Sequence, residues 1–336
     1  MKKNIIALAV AAAVAAPMAA SADATVYGKL HLDFVSQDDG SDSGLFVDSN
    51  DSRLGFKGTE DLGNGLSTIW QVETDLDGPG SSTALSWQNG LRNTYIGLAG
   101  GWGAVIVGKH DTPYKITGRK VELFGDTRGD FRQVSNTLGH EARLDNVIAY
   151  KMPTLGGFNV LAAYVAADST TAESEAYSIN ADWSNDMFWV GAAMTQTGAD
   201  TFGLAADENS NWRIAGQMKM AGFKVNAMYD SQEADISKDG EANVTNEGYL
   251  LGLAWSTGAH TLKGQYAAYE YESDTVAKND RATFSLGYDY AFSKKTTAYV
   301  LYTARDTDNT DGSLWKGVSA NGDDPSAFGV GMVVKF

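Results

Sequence analysis

Residues 223–230 read Phe-Lys-Val-Asn-Ala-Met-Tyr-Asp, and this octet decides the fold. Phe223, Val225, Ala227 and Tyr229 fall on one parity; Lys224, Asn226 and Asp230 fall on the other. Successive side chains of a strand point to opposite faces, whereas a helix would spread this apolar set around its whole surface. The octet therefore predicts a strand with one apolar and one polar face. The pattern recurs on both sides. In Ala24–Gln37, Val26, Leu30, Leu32 and Phe34 oppose Lys29, His31 and Asp33. In Asn211–Met220, Trp212, Ile214, Met218 and Met220 oppose Arg213, Gln217 and Lys219. In Arg281–Tyr290, Phe284, Leu286, Tyr288 and Tyr290 oppose Thr283, Ser285 and Asp289. Alternation is poor only around Ala104–His110 and Thr296–Arg305.

The connections are of two kinds, and they alternate. Short ones fall at Asp61–Gly65, Gly100–Gly103, Pro153–Gly156, Ser184–Asp186, Ala221-Gly222, Thr257–Ala259 and Ser293–Lys295. Long, acidic ones fall near 39–50, 77–90, 113–142, 168–175, 198–210, 231–247, 273–279 and 306–325. Together they join about sixteen strands, an even number, with both termini on the short-turn side. In hydrocarbon every backbone N–H and C=O must be paired within the protein, so only helices and closed barrels cross a bilayer. Mean hydropathy is −0.25 and no long apolar run follows the first residues, which excludes a helical membrane protein but not a barrel. The expectation is an all-β transmembrane antiparallel barrel occupying residues 23–336 as one domain. Trp183, Trp212, Tyr249 and Trp255 are candidates for its membrane interfaces. A soluble β-sandwich, the plainer alternative, does not explain the long–short alternation.

Residues 1–22 read as a cleaved export signal: Lys2-Lys3, an apolar run from Ile5 to Ala16, and Ala20-Ser21-Ala22 at the cleavage site. The net charge of −16 becomes two units more negative when Lys2 and Lys3 leave, which argues against nucleic acid as a partner. The absence of cysteine excludes disulfides and thiolate metal sites, and no cofactor is expected. The four histidines, His31, His110, His140 and His260, are scattered in sequence and form no ligand pair. The run from Asp306 to Gly312 misplaces the glycine of a calcium loop. Arg128-Gly129-Asp130 spells an adhesion tripeptide, a common chance triplet.

Particular residues carry a family resemblance. Ser52-Arg53-Leu54-Gly55-Phe56-Lys57-Gly58-Thr59-Glu60-Asp61-Leu62-Gly63-Asn64-Gly65 resembles the second strand and first turn of Gram-negative general porins. Gly108-Lys109-His110-Asp111-Thr112-Pro113 resembles the strand leading into their third loop, with lysine at 109 where arginine is more usual. Arg143, Asn146, Tyr150, Pro153, Gly157 and Phe158 match the pattern after that loop, and Phe336 matches the family's C-terminal assembly signal. The resemblance implies a homotrimer of sixteen-stranded barrels in the outer membrane, passing ions and small hydrophilic solutes. It also implies a third loop folded into each lumen. Lipid and lipopolysaccharide, periplasmic chaperones and the barrel-assembly machinery are the other partners expected.

Residues 113–144 are the longest stretch that does not alternate, and they would form that loop. Selectivity in a pore comes from its bore and from rings of charge at the narrowest point. Parity puts Lys29, Arg53 and Lys57 on the polar face; a lipid-facing charge would cost about 2–4 kcal/mol at mid-depth. The basic wall is expected to hold Lys29, Arg53, Lys57, Lys109 and Arg143, opposed by Glu122, Asp126 and Asp130 on the loop. Such an arrangement would set a transverse field across the aperture. The plainer alternative is that these carboxylates pair with Arg119, Arg128 and Arg132 and only shape the loop. A barrel lipase would need a Ser–His pair on the wall, and no serine partner for His31 or His110 is evident. A plugged adhesin and a substrate-specific channel are the remaining alternatives.

Overall fold

The computed structural model describes residues 23–38, 42–76, 90–135, 141–166, 175–198, 208–235, 243–274, 278–307 and 325–336. The first half of the wall comprises β1 (Asp23–Asp38), β2 (Ser43–Ser49), β3 (Arg53–Gly63), β4 (Leu66–Asp75), β5 (Thr94–Gly100), β6 (Gly103–Asp111), β7 (Arg143–Lys151) and β8 (Phe158–Val165). The second half comprises β9 (Ala176–Ser184), β10 (Phe188–Gly198), β11 (Glu208–Met220), β12 (Phe223–Asp235), β13 (Asn243–Thr257), β14 (His260–Ser273), β15 (Asn279–Ala291), β16 (Thr296–Thr307) and β17 (Ser326–Lys335). Each strand pairs antiparallel with the next from β3 to β17, and β17 returns to β1 through the register Lys29↔Lys335 to Asp38↔Ser326. The other edge of β1 is covered by β2 above, from Leu32↔Ser49, and by β3 below, to Lys29↔Arg53. These two segments are therefore one wall strand, interrupted at Asn50–Ser52, where Asp51 takes φ 54°. Among the described residues the sheet closes as a barrel of sixteen wall strands, each with a neighbour on both sides.

All seven short turns lie where the sequence puts them. At Ala221-Gly222 both residues have positive φ, 50° and 83°, matching the twist of a two-residue hairpin. Two of the long connections are shorter than expected. In 39–50, Ser43–Ser49 forms β2, with Leu45 and Val47 on the exposed apolar face; in 231–247, β12 runs on to Asp235 and β13 begins at Asn243. Acidic and polar neighbours hide these strand ends in the sequence. Residues 1–22, 77–89, 167–174, 199–207 and 308–324, with the remaining loop and signal expectations, lie outside the described residues.

The two faces separate as predicted. On β12, Val225 and Tyr229 are 40% and 39% exposed, while Asn226, Met228 and Asp230 are 1%, 3% and 0% exposed. The exposed face of the ring is apolar, which suits lipid. Two aromatic belts bound it: Phe223 with Trp255 and Phe158 with Trp183 near the short turns, and Trp212 with Tyr229 and Tyr249 with Tyr266 toward the long connections. Poor alternation in β16 has a cause: Tyr299 and Leu301 are buried and pack with Phe124 from the segment after β6. At the seam, Gly28 leaves room for the Phe336 ring; a Cβ there would lie 2.3 Å from it, and the two backbones exchange hydrogen bonds of 3.2 Å.

Candidate functional site

The segment after β6 begins with a helix, α1 (Pro113–Val121), which the strand pattern did not anticipate. Its start was nevertheless written in the sequence. Thr112 is the N-cap and accepts from the Lys115 N–H at 3.2 Å, and Pro113 supplies a preset φ where no N–H is needed. The buried side of α1 carries Tyr114, Thr117, Gly118 and Val121, which meet strands β8 to β12.

Polar side chains of the wall then hold the segment along its course. Asn226 donates to the Val121 carbonyl at 2.6 Å, Lys263 to the Leu123 carbonyl at 3.0 Å, Ser285 to the Gly129 carbonyl at 3.3 Å and Asn246 to the Ser135 carbonyl at 2.8 Å. Thus β12 to β15 supply the partners that the segment's own backbone lacks. One anchor is fully buried. The Arg213 guanidinium pairs with Glu141 at 2.6 Å and Asp230 at 2.9 Å, and lies 3.6 Å from the centre of the Tyr114 ring. Tyr114 and Tyr269 both donate to Asp230. Gly118 is required here, because a Cβ would stand 2.0 Å from the Arg213 Nη1.

The expected acidic residues do not stand free. Asp126 accepts from Arg119 at 2.6 Å, Lys29 at 2.7 Å and Arg132 at 3.1 Å, and its side chain is 5% exposed. Burial works against its charged form, but Arg119 and Lys29 outweigh that and hold its carboxyl well below the usual range. Asp130 pairs with Arg132 and receives the Asp126 N–H at 2.8 Å. Glu122 accepts from the N–H groups of Phe124 at 2.6 Å and Phe131 at 3.2 Å and from Gln265 at 2.9 Å. Burial chiefly, with the charge of Asp130 second, pushes its carboxyl up to about 8. Arg128 reaches across to Asp48 on β2. The plainer alternative therefore describes most of these carboxylates.

The basic residues gather elsewhere. A recess of about 460 Å³ between the segment and β1–β7 is lined by Lys29, Arg53, Arg92, Lys115, Arg119, Arg143 and Lys335, against only Glu73 and Asp111. Arg143 bonds Asp111 at 3.2 Å and Arg92 bonds Glu73 at 2.8 Å and Asp75 at 2.6 Å. Arg53 makes no ion pair among the described residues, because Asp75, its register partner, is committed to Arg92. Lys57 lies below, 5.2 Å from the Tyr27 ring centre. Lys109 departs from the expected wall. It shares the side of β6 on which Val107 is exposed and bonds the exposed Asp145 at 3.1 Å. Sequence reasoning missed Arg92, for which no local signal exists, and Lys115 and Arg119, whose i,i+4 spacing marks one side of α1.

A closed ring of strands, apolar outside and polar within, with aromatic belts at two levels, defines an outer-membrane barrel of the channel class. A family model described as Gram-negative porin matches residues 7–310, and the chain belongs to that family. It is an outer-membrane channel for passive diffusion. Among its relatives is the major outer membrane protein P.IB of Neisseria meningitidis serogroup B, 31% identical with all of both chains covered. The P.IB of Neisseria lactamica is 30% identical over 89% of this chain and 92% of that one. Solved structures of the same fold include an anion-selective porin from Comamonas acidovorans, with TM-score 0.80, 22% identity, and 94% and 100% of the two chains covered. Another is the trimer form of OmpT of Vibrio cholerae, with TM-score 0.73, 19% identity and the same coverage.

Proposed function

We propose that the segment Pro113–Ser135 lies in the bore and that the recess beside it is the aperture, lined by cations on both sides and selective for anions. The carrying observation is the sign of the lining. Lys29, Arg53, Arg92 and Arg143 face it from the wall, and Lys115 and Arg119 face it from the segment. Asp126 and Asp130 are turned into ion pairs and Glu122 into hydrogen bonds with backbone N–H groups and Gln265, so the expected transverse field gives way to a ring of one net sign. Lys29, Arg53, Lys57 and Arg143 keep their proposed role, Lys109 loses it, and Glu122, Asp126 and Asp130 shape the loop. The overall acidic charge sits elsewhere and does not decide selectivity at the narrowest point. The Comamonas neighbour is titled anion-selective, which agrees with this reading.

Reversal potential across a potassium chloride gradient in a planar bilayer tests the proposal. The expected sign is that of chloride preference; a potassium-preferring potential refutes it. We further propose a homotrimer, exported by a cleaved signal and assembled through Phe336. Chemical cross-linking in native membranes that yields only monomer would remove the trimer.

A further inference from the structure

We propose a second anion site, separate from the aperture, in which Lys120, Lys219 and Lys224 hold a dianionic tetrahedral oxyanion, a phosphate or phosphate monoester. It rests on the channel reading and adds a ligand class to it.

Lys219 on β11 and Lys224 on β12 are direct register partners. Both share the inward parity of Gln217 and Asn226. Like charges directly opposite on paired strands are destabilising, so the pair needs a compensating group. Among the described residues none of Lys120, Lys219 and Lys224 forms an ion pair; the nearby Lys263 is taken up by Asp289 and the Leu123 carbonyl. The third lysine arrives from the last turn of α1. Gln217 donates to the Lys120 carbonyl at 3.1 Å, and the Lys120 ammonium lies 5.8 Å from the Trp189 ring centre. The charged neighbours of Lys224 are Lys219, Lys263 and Lys120. Across the row, Lys224 faces Ala254 and Ala254 faces Lys263, so no acidic side chain stands between these cations in the register.

The chemistry selects the ligand. Three ammonium groups offer many donors and no planar fork, which suits a compact, acceptor-rich dianion better than a carboxylate. Chloride would leave net positive charge uncompensated. Lys219 and Lys120 remain open to water, so the site is a weak one, as transit requires: favourable enough to enter, loose enough to leave. Its place two residues from the Ala221-Gly222 turn puts it near the short-turn mouth, beyond the aperture.

Amine acetylation of the detergent-solubilised protein, read residue by residue by mass spectrometry, tests the site. Inorganic phosphate at pH 8 is expected to slow acetylation of Lys219 and Lys224, while the turn residue Lys294 reacts unchanged. Glycerol phosphate giving the same protection supports an ester ligand; protection by inorganic phosphate alone supports the free anion. Lys219→Gln is expected to raise the phosphate concentration for half-protection of Lys224 about tenfold, the equivalent of one charge-assisted hydrogen bond. Unchanged protection in that variant, or equal protection by chloride at matched ionic strength, overturns the site. Either result leaves the reversal potential, and so the channel's anion preference, untouched.

Discussion

Replacing Arg53 by glutamine removes a wall cation of the proposed aperture that has no ion-pair partner among the described residues. Its neighbours are already committed: Lys29 to Asp126 at 2.7 Å, and Asp75 to Arg92 at 2.6 Å. The substitution therefore changes the field with little rearrangement. A unit charge about 7 Å from the path of an ion in water acts on it with about 0.6 kcal/mol. The sign is opposite for chloride and potassium, so the permeability ratio should move by about 1.2 kcal/mol, roughly sevenfold toward potassium. Salt attenuates this. With a Debye length near 30 Å at 0.01 M and 10 Å at 0.1 M, the shift should be about fivefold and about threefold respectively. Reversal potentials at both ionic strengths, with single-channel conductance to confirm an intact pore, provide the assay. A ratio equal to wild type at 0.01 M, or a shift that does not shrink with salt, would show that Arg53 does not face the ion path.

Asp126→Asn should act in the opposite direction, leaving Lys29, Arg119 and Arg132 undercompensated; the same measurement should show stronger chloride preference, and a move toward potassium would contradict the pairing. Arg213→Met leaves Asp230 and Glu141 buried without their cation, at a cost of about 3–5 kcal/mol, and should free the segment from β11 and β12. Unit conductance and current noise should both rise while the barrel still forms, as its gel mobility before and after heating would report. Glu122→Gln should flatten part of the pH dependence of thermal unfolding. Because burial raises the carboxyl from 4.5 to about 8, the wild type loses stability as pH climbs through that window, whereas the variant does not; parallel melting curves between pH 5 and 9 would contradict the burial argument. Gly28→Ala displaces the Phe336 ring and crowds the Arg53 carbonyl, 2.8 Å from the new Cβ, so folding into lipid vesicles should slow; an unchanged folding rate would mean that the seam does not depend on that fit.

The wall was legible because two constraints coincide on it. Backbone pairing forces strands, and lipid forces every second residue to be apolar, so β12 or β15 can be read residue by residue. Legibility failed where one constraint is absent. Residues 43–49 rise among acidic neighbours, and there the alternation of Leu45 and Val47 is too brief to stand out. On β16 the buried side is apolar because Phe124 packs on it, a contact between positions far apart in sequence. Lys109 was a different failure: Ala104 and Ile106 on one parity and Val105 and Val107 on the other are all apolar, so the side of Lys109 was not legible there.

The site shows a deeper limit. Sequence gives the sign of each charge but not its partner, and a pore responds only to charge that is left over. Read alone, Glu122, Asp126 and Asp130 look like an acidic loop facing a basic wall. In the fold, Asp126 meets three cations, two of them from its own segment, and Asp130 shares one of those. What the segment then presents to the recess is Lys115, which shares Asp111 with Arg143, and Arg119, which shares Asp126 with Lys29 and Arg132, so cations outnumber the carboxylates that hold them. Arg128, four residues before Arg132, goes instead to Asp48 on β2. A chain of net charge −16 can therefore line a recess mostly with cations, provided its carboxylates find partners within the loop or stand away from it.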